Sequence, residues 1–564
     1  MSTSARPLAV RLAASSDEQL EALLRTRGAR PDAIWNDFFD AAEWLLEPSA
    51  VERAIIALTQ QEARDLQRAT SGADAGASSE ALTDLALLDD DGRVPPAVAA
   101  VVSTRAEVAD TPTDAPPAAS EAETARAAER AFATVGAVAD LLLAARRTPL
   151  ALVASGALTA GERRRLAESG IDSESAEDLR ALALTASLAE ADERTLLTAP
   201  TAEAWLAAPF ATRWAALVEA FRDGAPRGIR SGNGWTVPSS WADAHPWDAS
   251  WPAQADRLRR TAVLLGLATP SDSEPPWGTA AREGAPADAA PLSALLPSEV
   301  DRVFLQNDLT AIAPGPLLPT LDNRLRAMTE HDSAQASSYR FTAESVSRAL
   351  VEGESVESLT AFLSELSLTG LPQPLTYLLA QTAARHGLVR VASYDGGGTR
   401  VTSTDSGLLA AIEVDRGLRP LGLLREDDSL VTRVGAETVA WALTDSRYPA
   451  TLVDATGTPI AATRRHRREQ PPPELPSYGP LIARLREHHE VDSDAAWLDR
   501  ELDAAVRARA VLEVEVAMPD GSRRALVLEA SGLGGGRLRG RDRAADVERT
   551  LPVRSIRSVR VVTD

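Results

Sequence analysis

The sequence predicts an α+β multidomain protein: a helical, winged-helix-like N-terminal half, a mixed α+β central domain and a small C-terminal β-barrel. Three observations lead there. The chain has 564 residues, more than one apolar core sustains. Its first half carries the 3.6-residue apolar period of amphipathic helices, punctuated by capping residues. Residues 508–564 alternate apolar and polar, the period of half-buried strands. The composition, 44% hydrophobic and 25% charged, is that of folded protein. The expected segments are a helical, winged-helix-like domain over 1–110, a second such domain over 121–225, a Trp/Pro-rich irregular linker over 226–297 and an α+β domain over 298–462. A basic, Pro-rich linker over 463–480, a helical pair over 481–507 and a barrel over 508–564 follow.

In the first segment, Ser15 and Ser16 can cap a helix that ends before Gly28. A second helix carries Trp35, Phe38, Phe39, Ala42, Trp44 and Leu45, and Pro48-Ser49 opens a third with Val51, Ile55, Ile56 and Leu58. Thr59-Gln60-Gln61-Glu62 is a capping box for a fourth. After a polar linker from Ser71 to Ser78, Asp91-Gly92 signals a hairpin. Helices followed by a hairpin is the order of a winged helix, a helix-turn-helix variant. Trp35 and Trp44 are read as core residues, not as stacking surfaces for a ligand.

Thr111 to Ser120 is a linker by composition, and an Ala-rich helix follows from about Glu121 to Arg147. A capping box at Thr159–Glu162 opens a helix bearing Arg163, Arg164 and Arg165; another starts near Ser175, and LLTAPTAEAWLA reads as a wing with its trailing helix. The three arginines are either phosphate contacts or a solvated face. From Arg222 to Val300 the pattern turns irregular, with Trp235, Trp241, Trp247, Trp251 and Trp277 among Pro, Gly, Ser and Asp. Interleaved aromatics can stack bases, but arginines are scarce there. The stretch is therefore expected to be pinned onto neighbouring domains by its tryptophans, with Thr269 to Ala290 a weakly ordered linker.

The central stretch begins with a strand-like run, Arg302 to Ile312, turning at Asn307-Asp308 and stopped by Pro314-Gly315-Pro316. A helix over Leu317 to Thr329 and a short strand at Tyr339–Phe341 come next. Thr342 and Ser355 cap two helices, Pro374 opens a third that Gly387 closes, and Leu388 to Ala392 returns as a strand. Gly396-Gly397-Gly398 has no following lysine and opens no helix, so it is a hairpin turn and not a phosphate loop. Two more helices, a hairpin and the strand ATLVDATG complete the domain to about Ala462.

The stretches FLQNDLTAIAPGPL, YRFTAESVSRALVEGESVESLTAFLSELS and LPQPLTYLLAQTAARHGLVRV, in that order, resemble the N-terminal, non-motor domain of XPB-type repair helicases. They are most similar to the actinobacterial helicase-associated proteins that carry it. The resemblance implies an accessory role in DNA repair or helicase-linked DNA processing, with single-stranded or forked DNA and a helicase or nuclease as partners. It brings no active site to this chain.

Arg464-Arg465-His466-Arg467-Arg468 is the densest positive cluster, and Pro471-Pro472-Pro473 follows. It is either a contact for phosphate or an acidic partner, or a solvated hinge. In the last segment Asp520-Gly521 separates two alternating runs, and four or five short strands suggest an SH3- or Sm-like barrel. This end resembles a WYL-type domain without the Trp-Tyr-Leu that names it; such modules are thought to sense ligands or nucleic acid. From Glu501 onward there are 12 Arg against 10 Asp and Glu. The candidate nucleic-acid contacts are Arg464, Arg465, Arg467, Arg468, Arg523, Arg524, Arg537, Arg539, Arg541 and Arg543. The other reading of the strand arginines is that they keep sheet edges soluble.

Much chemistry is excluded. There is no cysteine, and all 59 basic residues are arginine. Schiff-base lysines and the Gly-Lys-Ser/Thr phosphate loop of a helicase motor are therefore impossible. His245, His331, His386, His466, His488 and His489 form no metal-binding pair, Asp89-Asp90-Asp91 lacks a calcium pattern, and no Gly-x-Ser-x-Gly elbow occurs. No catalytic residue, cofactor or metal is expected. The net charge of −22 repels nucleic acid on average, so any contact must be a local basic patch. No run approaches a membrane span and the N-terminus lacks a signal h-region, so a cytoplasmic protein is expected. The function expected is that of a non-catalytic, DNA-associated accessory protein. The alternatives are an acidic protein-interaction scaffold and a ligand-sensing regulator acting through the barrel.

Overall fold

The computed structural model describes residues 5–109, 114–168, 170–332, 338–385, 387–394, 398–446, 448, 450–454, 457, 460, 477–487, 489, 493–518 and 522–562. Helices and strands together build a mixed α+β protein with five apolar cores.

The first domain is helical. Ser16 and Thr59 form reciprocal capping boxes with Gln19 and Glu62, and Asp37 caps the helix Phe38–Leu46. Arg27 lies inside this domain and spends its guanidinium on the carbonyls of Leu85, Leu45 and Ala50, at 2.6, 2.7 and 3.2 Å. Burial holds its pKa at about 10. The hairpin expected at Asp91-Gly92 is a tight turn only. Asp89 and Arg93 are joined by one backbone bond of 2.9 Å, and no strand forms among the described residues of 1–110. Pro95 cannot donate to a ladder, and Pro96 starts the helix Pro96–Val102 instead.

The second domain opens with the long helix α1 (Glu121–Arg147), then β1 (Leu150–Ala151), α2 (Ala160–Glu168), α3 (Ala176–Thr185), β2 (Ala189–Asp192) and β3 (Thr195–Thr198). The strands pair antiparallel in the order β1-β3-β2. Helices α4 (Phe210–Asp223) and α5 (Trp251–Leu264) close the domain. The stretch expected as an irregular linker is part of this core. Trp235, Trp241, Trp251 and Trp277 are buried with α1, α3 and α4 in one cluster. The indole N–H groups of Trp241, Trp251 and Trp277 donate to backbone oxygens of Thr236, Trp241 and Gly266 at 2.8, 2.6 and 2.8 Å. The helix Pro276–Arg282 packs closely on the end of α5: a Cβ on Gly278 would stand 2.0 Å from the Leu267 carbonyl. Trp247 alone leaves this core and packs on the first domain, where its N–H reaches Ala106 O at 3.2 Å.

Residues 298–462, expected as one domain, carry two cores. The first is a four-stranded antiparallel sheet covered by α6 (Pro319–Ala327), α7 (Ala343–Val351) and the helices Val356–Leu366 and Gln373–Arg385. The turn at Asn307-Asp308 closes with Gln306 N donating to Thr310 O at 2.9 Å. The second is a five-stranded sheet in which Val389–Tyr394 pairs antiparallel with Gly398–Ser403 and parallel with Ala450–Val453.

At the C-terminal end, α8 (Gly479–Glu487) and α9 (Ser493–Ala508) precede β4 (Val511–Ala517), β5 (Arg523–Gly534), β6 (Arg537–Asp542), β7 (Val547–Pro552) and β8 (Ile556–Val561). The helical pair returns to the first domain. Leu481, Ile482, Leu485 and Trp497 join its core, and Tyr478 Oη donates to Ala29 O at 2.8 Å. The other face of α9 presents Leu498, Leu502 and Ala505 to the sheet. The sheet order is β7-β6-β5-β4-β8, all antiparallel, and the edges β7 and β8 do not pair. The closed barrel expected here is therefore an open sheet. Its apolar face is covered by α9, so burial does not require closure.

Candidate nucleic-acid interface

Two regions offer arginines to a polyanion: the helix pair α2–α3 and the C-terminal sheet. Arg464, Arg465, Arg467 and Arg468 lie outside the described residues, as do Asp520-Gly521.

In α2, Arg165 pairs with Glu162 at 2.6 Å, while Arg164 is exposed. The following helix, α3, is closed off. Ala176, Asp178, Leu179, Leu182 and Ala183 are buried beneath α1, α4 and α5. Asp178, 4% exposed, accepts from Arg260 of α5 at 2.9 Å. A helix held on these sides cannot enter a groove. A cavity of about 820 Å³ lies between α3 and α5. Its two arginines are spent on Asp272 and Asp178, and the Ser175 hydroxyl on its wall donates to Asp172 at 3.0 Å at the start of α3.

The sheet is different. On β6 the burial alternates, so Arg537, Arg539 and Arg541 point to solvent while Leu538, Gly540 and Asp542 face inward. A bulge between Ala530 and Gly532 on β5 keeps this alternation in register. Gly532 stands opposite Arg539 and Gly534 opposite Arg537, each on the solvent face. The connecting residues Gly535 and Gly536 have φ of +59° and +68°, the twist of a two-residue hairpin that side chains resist. The tip is thus bare backbone flanked by two guanidinium groups.

Charge on that face is not uniform. Arg523 pairs with Glu515 at 3.6 Å, and Arg560 stands opposite Glu513 in the ladder. Arg541 is held by Asp546 at 2.7 Å. Inside, Arg549 donates to Asp542 at 2.5 Å, which keeps that carboxyl below its usual pKa. Arg537 and Arg539 are exposed and make no ion pair with any described residue. Arg523 and Arg524 sit at the far end of the 12-residue β5, roughly 35 Å from the tip. Arg524 also points to the opposite face. Arg543 follows β6, where its backbone N–H donates to Val527 O at 3.0 Å. Of the candidates, the fold thus brings together Arg537 and Arg539, with Arg541 beside them. Sequence reasoning missed the opposed glycines; their signal was the GLGGGRLRGRD repeat, which only the ladder register turns into facing pairs.

No group of His, Asp or Glu residues suited to a metal ion occurs among the described residues, and no helix there is long and apolar enough to cross a membrane. The comparison with curated proteins gives no match. Residues 303–427 match the family described as "Helicase conserved C-terminal domain". That stretch takes in the four-stranded sheet with its helices and most of the five-stranded sheet. It is similar to a helicase-associated domain, and the similarity ties the chain to helicase-related nucleic-acid processing.

Proposed function

We propose that the protein is a non-catalytic accessory factor of helicase-linked DNA processing that holds DNA, single-stranded or forked, through the β5–β6 hairpin. The helicase-associated stretch is read more finely as an XPB-type N-terminal domain, a helicase or nuclease being the partner. The C-terminal sheet is read as a WYL-like module whose inner face is filled by α9. The observation that carries this reading is the couple Arg537 and Arg539, exposed at a glycine tip and unpaired with any described residue. Such a couple neutralises phosphates, and no aromatic lies beside it on β5, β6 or β7 to stack a base.

The test is binding of fluorescent single-stranded, duplex and forked DNA across a salt series. The double change Arg537→Ala with Arg539→Ala should weaken binding at least tenfold. It should also flatten the slope of log affinity against log salt by about 1.4 for single strands. An unchanged slope would remove the hairpin from the interface.

A second reading is favoured by the closure of α3 and by the net charge of −22. Here the helix-turn-helix unit (α1 to β3, which has the element order of a winged helix) serves only to dock protein, and the chain is an acidic scaffold. Absence of DNA binding at low salt, together with capture of a purified helicase, selects it.

A further inference from the structure

The five-stranded sheet has one face in the core and one in water. Val389, Val391, Val401 and Leu430 point inward, beneath the helices Ser406–Val414 and Ala436–Asp445. By alternation, Arg390, Ala392 and Tyr394 point outward. The ladder sets Arg400 and Thr402 beside them on the next strand, and Val431 and Leu424 beyond.

Tyr394 is the unexplained member of that outer face. It is 43% exposed, yet its ring is held in place. Arg400 stands diagonal to it and lies over the ring, 4.3 Å from the centroid, while Glu426 anchors the same guanidinium at 2.9 Å. Directly opposite Tyr394 stands Gly398, which has no side chain. A Cβ there would meet the Thr432 carbonyl at 2.7 Å, so close backbone packing keeps the place beside the ring bare. The ring is thus both oriented and open. Arg390 lies on the same face, four residues back along the strand and roughly 13 Å away. It is exposed, and its guanidinium makes no ion pair or hydrogen bond with any described residue. Glu426 meets the charge of Arg400, so Arg390 is the cation that this face leaves over. An open aromatic ring beside an unmet cation is the pairing that a single strand uses, with the ring for a base and the charge for a phosphate.

We propose that this face is a second DNA contact, selective for single strands, in which a base stacks on Tyr394 and the backbone runs along the strand to Arg390. Arg400 is a positioning residue that holds the ring. The hairpin couple neutralises phosphates of any strand, whereas Tyr394 demands an unpaired base, because the bases of a duplex are already stacked on one another. The proposal rests on the reading of the protein as DNA-associated, but not on the hairpin.

The test is binding of fluorescent oligo(dT) and of a blunt duplex to the full chain. Tyr394→Ala should weaken oligo(dT) binding at least about fivefold and leave duplex binding within about twofold, and Tyr394→Phe should keep the wild-type affinity for both. Arg390→Ala should flatten the slope of log affinity against log salt for oligo(dT) by about 0.7. Unchanged oligo(dT) affinity in Tyr394→Ala, or equal losses on oligo(dT) and duplex, would overturn the platform and leave the hairpin to its own double change, Arg537→Ala with Arg539→Ala. A loss with Tyr394→Ala beside none with that double change removes the hairpin and keeps the platform. Absence of oligo(dT) binding at low salt overturns the platform even where duplex still binds.

Discussion

The α2–α3 unit and the β5–β6 hairpin carry comparable arginine density in sequence, yet the fold treats them in opposite ways. Arg163 to Arg165 precede a helix whose outward positions are already occupied by α4 and α5. Arg537 and Arg539 stand on a strand whose outer face nothing covers. The difference lies in where each element's second face goes. Helix α3 is apolar on enough of its circumference to be packed from several sides, whereas β6 alternates strictly and must leave one face to water. Charge in a sequence therefore marks availability only where the element's period protects an open face.

The largest effect tests the closed side. If the Trp-rich stretch is core, Trp241→Ala should cost about 3–5 kcal/mol in denaturant unfolding, since the ring is fully buried and its N–H is bonded. A loose linker would show a cost near zero. Next, Arg163→Ala with Arg164→Ala should leave DNA affinity within about twofold, while the hairpin double mutant loses at least tenfold. Equal losses would erase the distinction between the two regions.

A smaller effect concerns the lock on α3. Asp178→Asn should cost about 1–2 kcal/mol by weakening the bond from Arg260, and it should not raise DNA affinity. A gain in affinity would mean that α3 is a masked reader. At the hairpin, Gly532→Ala and Gly534→Ala place a Cβ in open space at ordinary backbone angles. They should stabilise the sheet by about 0.5 kcal/mol while weakening DNA binding a few-fold, because a closely approaching backbone meets the added methyls.

The smallest is pH-dependent. His245 binds Leu58 O at 2.9 Å across the seam between the first two domains, and burial lowers its pKa. The unfolded chain therefore takes up a proton first, so this contribution is complete above about 6.5 and declines as pH falls below it. Replacing His245 by Gln should flatten stability between about pH 7 and 5.

Legibility followed the range of the interaction. The caps at Ser16, Thr342 and Ser355, the capping box at Thr59, the turn at Asn307-Asp308 and the alternation of the last strands were all readable, because each depends on residues a few positions apart. The wing at Asp91-Gly92 was misread because Pro95 and Pro96 cancel a turn signal that ignores its flanks. In the Trp-rich stretch the pinning by tryptophans was readable, but the helices Trp251–Leu264 and Pro276–Arg282 were not, because Pro and Gly imitate a linker. The closed barrel was misread because α9, outside the strand pattern, covers the sheet. At the candidate interface the arginines and glycines were visible, but their facing arrangement was not, since it depends on the bulge at Ala530/Gly532.

Composition alone fixed which groups these residues lack: with no lysine and no cysteine they carry neither the Gly-Lys-Ser/Thr phosphate loop of a motor nor a thiol, whatever their shape. Local spacing settled most helices and strands, because caps and periodicity act within a turn or two. Tertiary packing decided which arginines are spent and which are free. It returned α8 and α9 to the first domain, sealed α3 under α5, and left Arg537 and Arg539 without partners among the described residues. Those outcomes depend on contacts between residues hundreds of positions apart, such as Tyr478 with Ala29, and no local pattern encodes them.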